Sequence, residues 1–119
     1  MMSNVFYEIC FIDEILALSH PNNSQFVRTL GKLKSYNPVS CIGRLADPEG
    51  KNLESLVVNL QHIEDISFVK DSVYQVIGEL KDISGEKILH ASIAVNVDAI
   101  DVQMYKKAVF LRRKFLSCN

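Results

Sequence analysis

Paired cysteines, long apolar runs and tryptophan are all missing from this chain of 119 residues. Its three cysteines, Cys10, Cys41 and Cys118, are widely spaced and odd in number, so neither a disulfide framework nor a zinc site is indicated. No apolar run approaches the roughly 20 residues of a membrane span. Glu8 and Asp13 interrupt the apolar N-terminal stretch, which argues against a signal peptide. The sequence therefore predicts a single domain in a reducing compartment, without membrane contact.

Catalytic motifs are missing as well. The sequence contains none of the glycine-rich nucleotide loops, nucleophile elbows or metalloprotease signatures that carry enzyme chemistry. His20, His62 and His90 are far apart in the sequence and are interpreted as loop or surface residues. We therefore expect a protein that is not an enzyme, with no catalytic residue, cofactor, metal site or small-molecule substrate.

The charge is small overall but unevenly distributed. A net charge of −1 argues against a strong autonomous nucleic-acid binder. Residues 101–119 contain five basic and one acidic residue, which gives +4, whereas residues 1–100 contain eight basic and thirteen acidic residues, which gives −5. Such asymmetry is typical of a subunit of an assembly, although basic residues near the C-terminal end of a solvated helix also suit the helix dipole.

Five segments have the alternation and turn boundaries of β-strands. They are residues 25–36, 39–46, 53–60, 72–80 and 87–97. In the first, Leu30 and Leu33 both have core character although strict alternation forbids it, so a bulge or bend is predicted at Gly31 between them. The fifth has the most regular alternation, which predicts a single inward face made of Leu89, Ala91, Ile93, Val95 and Val97.

This order of elements predicts an all-β fold, a five-stranded OB-fold Greek-key barrel with a C-terminal α-helix. Strand count alone also allows an SH3-like barrel, but a long bent first strand and a break after the third strand favour the OB-fold. The break, residues 61–70, is predicted as a short helix or a loop that plugs one end of the barrel. The domain boundaries follow: 1–23 is an N-terminal arm with a strand or extended segment at 5–12, a helical turn at 13–18 and a loop at 21–24; 24–97 is the barrel; 98–119 is the helix.

The rest of the chain is organised around the predicted helix at 101–116, which Asp98 or Asp101 caps. At about 100° per residue its apolar side chains fall into two stripes, together wider than a surface helix needs for its own core. One stripe is Val102, Tyr105, Val109 and Leu116; the other is Met104, Ala108, Leu111 and Phe115. The opposite side is interpreted as a solvated basic face made of Gln103, Lys106, Lys107, Arg113 and Lys114, with Phe110 among them. We expect one stripe to pack on the barrel and the other to bind another protein; the pattern does not say which, and the alternative is a helix buried deeper in its own fold.

Single-stranded nucleic acid is a second expected partner. OB barrels bind single strands through basic residues along a groove and aromatic rings that stack on bases. The residues of these types on the predicted strands are Arg28, Lys32, Lys34, Tyr36, Arg44 and Tyr74. The alternative is that the basic residues are an ordinary polar outer face and that Tyr74 lies in the core.

Three segments of the chain resemble a known family. The run 28–33, the strand at 73–80 and the helix with Tyr105, Ala108 and Phe115 are similar to Ten-one, the smallest, single-OB subunit of the CST telomere-capping complex. The similarity spans about residues 24–116. The smallest subunit of replication protein A has a similar layout and is the nearest rival, and a stand-alone OB module that binds single strands is the other alternative.

The resemblance implies a set of partners and a location. It implies a heterodimer with an OB-fold partner, Stn-one, formed by side-by-side packing of the two C-terminal helices. It also implies nuclear residence at telomeres, contact with single-stranded telomeric DNA as part of the complex, and a role in protecting chromosome ends and regulating their replication. The partner-interface residues expected on the helix are Met104, Tyr105, Ala108, Leu111, Arg112 and Phe115.

Overall fold

The computed structural model describes residues 7–18, 25–50, 54–64 and 66–117. In this part of the chain six strands and two helices follow one another. They are β1 (Glu8–Ile9), α1 (Ile12–Ala17), β2 (Gln25–Asn37), β3 (Ile42–Ala46), β4 (Leu56–Asn59), β5 (Val73–Ile83), β6 (Glu86–Asn96) and α2 (Val102–Ser117).

Strands β2 to β6 close into a barrel. Their neighbour order is β2-β3-β4-β6-β5, and β5 pairs back onto β2. The β4–β6 pairing is parallel, whereas β2–β3, β3–β4, β5–β6 and β2–β5 are antiparallel. Because full closure removes the open sheet edges, every barrel strand has two neighbours. The predicted five-stranded OB-fold with a C-terminal helix is confirmed.

The predicted strand boundaries are close to those observed, with two late starts. β3 begins at Ile42 rather than at Val39 because residues 38–41 form a turn. In that turn the Asn37 carbonyl oxygen accepts a hydrogen bond from the Cys41 amide at 2.8 Å, and Cys41 has a φ of 60°. β4 begins at Leu56 rather than at the predicted Leu53, because the described residues 54 and 55 are not in a strand; residue 53 lies outside the described residues.

Two segments that the sequence left ambiguous contribute side chains to the barrel core or pack against it. Ile12 and Ile15 of α1 are almost fully buried in the core, so the described part of the predicted N-terminal arm is built into the barrel. The predicted loop at 21–24 lies outside the described residues. In the break after β4, the described residues 61–64 and 66–70 form turns and loop without a helix, and Ile63 and Phe68 pack against the core.

Of the bulge or bend predicted at Gly31, the bulge is wrong, and the bend stays a prediction. The β2–β5 register runs without a shift through Leu30, Gly31 and Lys32. Gly31 itself faces the core, where an added Cβ would lie 2.9 Å from Leu45 Cβ. Leu30 is buried on the opposite face of the same strand and does not belong to the central core cluster. Both leucines are therefore buried because β2 is covered on two faces, and the only register shift of β2 against β3 lies between Leu33 and Ser35.

A bulge occurs instead in β6, the fifth strand of the barrel, whose sequence has the most regular alternation. Ile77 pairs with Ile93 and Gly78 with Ala91, so Ser92 has no partner across the β5–β6 ladder. Downstream of this extra residue the faces exchange. Leu89, Ala91 and Ala94 are buried in the core, whereas Ile93 and Val95, which were predicted to point inward, are about half exposed.

A linker of five residues, 97–101, separates β6 from helix α2. Asp101 is its N-terminal cap, because the Asp101 Oδ1 accepts a hydrogen bond from the Met104 amide at 3.0 Å. Asp98, the other predicted cap, instead accepts a hydrogen bond from the Val73 amide and joins the linker to the start of β5. Among the described residues, no helix is both long and apolar enough to cross a membrane.

Candidate protein-binding interface

One face of α2 lies on the protein. Val109 is only 5% exposed, and Val102 and Tyr105 are partly buried. The Tyr105 hydroxyl is buried, and no described residue forms a hydrogen bond with it. Burial raises the pKa of Tyr105, and the nearby positive charge of Arg28 on β2 opposes this shift. The stripe that contains Val102, Tyr105 and Val109 is thus the inner one.

An arginine clamp fixes the C-terminal half of α2. Arg113 donates hydrogen bonds to both carboxylate oxygens of Glu14 on α1, at 2.8 and 2.9 Å, and to the Ile9 carbonyl oxygen at 2.7 Å. Its guanidinium carbon also lies 5.1 Å from the centre of the Phe11 ring. The hydrogen bond from Arg113 is the largest cause that holds the pKa of Glu14 below its ordinary value. The Phe11 amide, which donates to Glu14 Oε1 at 2.8 Å, acts in the same direction.

A lysine clamp fixes the N-terminal half. Lys106 Nζ lies 3.0 Å from Asp47 Oδ1 and 2.5 Å from Glu49 Oε1, just after β3. Burial opposes the charge on Lys106, but the hydrogen bonds to Glu49 and Asp47 outweigh it and raise the lysine pKa. Asp47 is almost fully buried, so this carboxylate is shielded from water and its attraction to Lys106 is stronger than at an exposed site.

The solvated basic face predicted for this side of the helix is therefore wrong for Lys106 and Arg113. Both side chains point at the body of the protein, with Lys106 Nζ 5.7 Å and the Arg113 guanidinium carbon 5.1 Å from the centre of the Phe11 ring. Phe110, which stood alone among charges in the sequence, packs edge-on against Phe11 with ring centres 5.4 Å apart. Together these contacts hold α2 along both of its halves.

The other apolar stripe faces solvent. Met104 is 63%, Leu111 56% and Phe115 77% exposed. Ala108, between them, is exposed too. At 100° per residue these four side chains fall within about 60° of arc, so they form one narrow ridge along the helix. We call this set, Met104, Ala108, Leu111 and Phe115, the outer stripe.

Three other residues of α2 to which the sequence analysis assigned a face lie outside the outer stripe. Arg112 is exposed at its flank. Tyr105, expected at the partner interface, is turned toward the barrel with its hydroxyl buried. Leu116, assigned to the inner stripe, is 67% exposed and borders a groove of about 410 Å³ whose other walls include Tyr7 and Ile9.

The two aromatic residues expected to stack on nucleic-acid bases belong to the barrel core or pack against it. Tyr74 is 2% exposed, and its hydroxyl accepts a hydrogen bond from the Val69 amide at 2.9 Å. Its ring is 5.4 Å from Phe68, whose other neighbour is Tyr36 at 5.0 Å. The prediction of base stacking by Tyr74 is wrong, because a buried ring cannot meet a base. Tyr36 is partly buried in the same row, and its contact with nucleic acid stays a prediction.

The basic residues expected to bind nucleic acid are not gathered in one groove. Arg28 contacts the Gln75 side chain and lies near Tyr105, on the side that α2 covers. Lys32 is half-buried. Lys34 forms an exposed ion pair with Asp71 at 3.4 Å, and Arg44 is exposed with its Nη1 3.4 Å from the Ser55 hydroxyl.

Sequence reasoning missed the acidic and aromatic partners of the clamps. Glu14 and Arg113 are 99 positions apart in the chain, and Lys106 and Asp47 are 59 apart. No local periodicity relates residues at such separations. Only the excess of basic residues on α2 and of acidic residues in the body hinted that ion pairs join the two.

The chain is similar to known proteins in both sequence and fold. A family model described as "Telomere-capping, CST complex subunit" matches residues 7–119. The CST complex subunit TEN1 of Arabidopsis thaliana is 39% identical over 92 residues, which cover 76% of this chain and 69% of that protein.

Two solved structures share the fold. The telomere capping protein Ten1 from Saccharomyces pombe superposes with a TM-score of 0.72 at 24% identity, over 92% of this chain and 99% of that one. A chain of the S. pombe Stn1–Ten1 complex superposes with a TM-score of 0.56 at 16% identity, over 77% of this chain and 73% of that one.

Proposed function

This chain belongs to the Ten-one family of telomere-capping CST complex subunits, and we propose that it acts by binding an OB-fold partner of the Stn-one kind through the outer stripe of α2. The heterodimer is the functional unit. In it this chain protects chromosome ends and regulates their replication as a non-catalytic subunit, in the nucleus at telomeres.

The observation that carries the proposal is the pair of opposed faces on α2. The inner face is held by the arginine and lysine clamps and by Val109, so the helix does not need its outer stripe for its own docking. The outer stripe leaves Met104, Leu111 and Phe115 more than half exposed. A row of large apolar side chains on a rigid element is a typical protein-binding surface, because burying each of them contributes about 1.5–3 kcal/mol.

The choice of partner rests on the family. The S. pombe structure that shares this fold is a complex named for Stn1 and Ten1, and the pairing of C-terminal helices expected from the resemblance needs an exposed apolar face on the last helix. Leu111 and Phe115 supply that face, with Arg112 beside them. Tyr105 contributes from the inner side, by holding the helix on the barrel.

Telomeric single-stranded DNA is bound by the complex rather than by this chain alone. The net charge is −1, and the described candidate residues do not line one basic groove. Arg44 and Lys34 are the exposed basic side chains near the β2–β3 pairing that remain available to add phosphate contacts once the partner has bound DNA.

The test is a binding measurement with a matched control on the same helix. The Stn-one-like OB-fold protein of the same organism is purified, and its affinity for this chain is measured by isothermal titration calorimetry. Phe115→Ala is expected to weaken binding by about 10- to 150-fold, which corresponds to the 1.5–3 kcal/mol of a buried aromatic side chain.

Phe110→Ala is the control, since Phe110 is also an exposed aromatic residue of α2 but lies away from the outer stripe against Phe11. It should leave affinity within about threefold of wild type, the range of a change outside the energetic centre of an interface. The proposed interface is refuted if Phe115→Ala binds the partner like wild type.

A further inference from the structure

We propose that the partner helix that packs on the outer stripe carries acidic residues on both sides of its own apolar seam. This inference rests on the proposed function and specifies the chemistry of the partner. It is drawn from the spacing of the outer stripe and from the charges on its two sides.

The spacing of the outer stripe matches a helix partner. Its members are separated by four, three and four residues, which is the alternation of the apolar positions in a coiled-coil heptad. Side chains at these positions insert between those of a second helix lying alongside. Ala108 lies between larger neighbours, so the facing helix can place a large side chain against it.

Three of the four residues beside this seam are basic, and the fourth is Tyr105, whose hydroxyl is buried. In the heptad set by the outer stripe, the flanking positions on one side are Lys107 and Lys114, and the flanking positions on the other side include Arg112. Lys107 and Arg112 are exposed, and neither forms an ion pair with a described residue. Flanking positions of this kind choose the partner of a coiled coil through interhelical ion pairs, so acidic residues are the complement that fits here.

The same charges disfavour a second copy of this chain. Within Val102–Ser117 there is no acidic residue, so two outer stripes placed side by side would bring basic flanks together in either orientation. Like charges in such juxtaposition are repulsive. The clamps sharpen the contrast, because Lys106 and Arg113 are neutralised by acidic residues of the body, whereas Lys107 and Arg112 keep their charge for a partner.

An anionic membrane surface is the other class of ligand that basic, amphipathic helices attract. The outer stripe covers only about 60° of arc, which is narrow for a helix that lies in a lipid surface, where the apolar face is broad and large. Its inner face is already fixed to the barrel. The geometry therefore favours a protein helix.

The test reverses the flanking charges. The double variant Lys107→Glu/Arg112→Glu is compared with Lys70→Glu/Lys81→Glu, which makes the same change in net charge at exposed positions on the barrel. Affinity for the Stn-one-like protein is measured at about 50 and 500 mM NaCl, because screening by salt shortens the reach of exposed charges. We expect the helix variant to bind about tenfold or more weakly at low salt, with a smaller loss at high salt, and the barrel variant to bind like wild type.

Each outcome separates this inference from the function on which it rests. If Phe115→Ala weakens binding but the helix variant binds like wild type at both salt concentrations, the acidic flanks are refuted and the interface stands. If neither weakens binding, the partner docks elsewhere and both proposals fail. Self-association of the wild-type chain that Leu111→Ala abolishes in sedimentation would refute the heterotypic helix. So would binding to phosphatidylcholine–phosphatidylserine vesicles that Leu111→Ala removes.

Discussion

Two matched substitutions, Val109→Ser and Leu111→Ser, should separate folding from binding on the same helix. The two residues are two positions apart, yet Val109 is 5% exposed against the barrel and Leu111 is 56% exposed on the outer stripe. Both changes replace an aliphatic side chain by the same small, neutral, polar one. Their intrinsic effects on helix formation are therefore similar, at about 0.5 kcal/mol or less.

The magnitudes follow from the two environments. Val109→Ser removes a buried aliphatic side chain worth about 1.5–3 kcal/mol and leaves a hydroxyl in its place, so we expect a loss of about 2–4 kcal/mol in the free energy of unfolding. Leu111→Ser removes little buried area in the free chain and should cost about 0.5 kcal/mol. In the complex the order reverses, because Leu111 is then buried and its loss should weaken partner binding about 10- to 150-fold.

Urea unfolding followed by circular dichroism gives the first quantity, and calorimetric titration with the Stn-one-like protein gives the second. Val109→Ser should shift the urea midpoint and, under conditions in which it is folded, keep most of its affinity. Leu111→Ser should unfold like wild type and lose its affinity. If Leu111→Ser destabilises the free chain as much as Val109→Ser does, both stripes are core and the helix has no spare face.

Three further outcomes follow from the barrel and the clamps. Gly78→Ala should lower the free energy of unfolding, measured in urea, by about 3 kcal/mol or more, because the added Cβ would lie 2.8 Å from Ala91 Cα in the β6 backbone. Gly31→Ala should lower it by about 1–3 kcal/mol, because there the added Cβ meets a side chain. The pKa of Glu14 is lowered, so the bond between Glu14 and Arg113 stabilises the fold fully above pH 4.5, the ordinary pKa of this side chain. This contribution is lost as the pH falls through the lower pKa of the folded state, and the urea midpoint of wild type should drop there more than that of Glu14→Gln. Equal drops would contradict the clamp. In a fluorescence-anisotropy titration the free chain should bind single-stranded DNA weakly, with an affinity that depends little on salt, since few phosphates are contacted. Tight binding at physiological salt would refute the proposal that the complex, rather than this chain alone, binds the DNA.

The sequence by itself determined the elements that depend on neighbouring residues. Alternation and turn residues predict five strands in the observed order, and the helix predicted at 101–116 is observed at Val102–Ser117. Asp101 caps that helix as one of the two predicted candidates, because a cap depends only on the next few amides. The two apolar stripes of α2 are likewise a local property, since the helical period alone defines them.

The tertiary structure decided what depends on distant contacts. The local sequence does not reveal the neighbours of Gly31 and Gly78. The Leu45 side chain lies against Gly31, and the β6 backbone lies against Gly78. Only strand pairing decides such neighbours. The two stripes of α2 are a similar case, because the sequence pattern does not say which of them faces the barrel. The inner face is decided by Glu14 and Asp47, which the fold places beside Arg113 and Lys106. Ion pairs between residues so far apart in the chain produce no periodic pattern in the sequence. Only the tertiary structure therefore shows that the outer stripe is the exposed face of the helix.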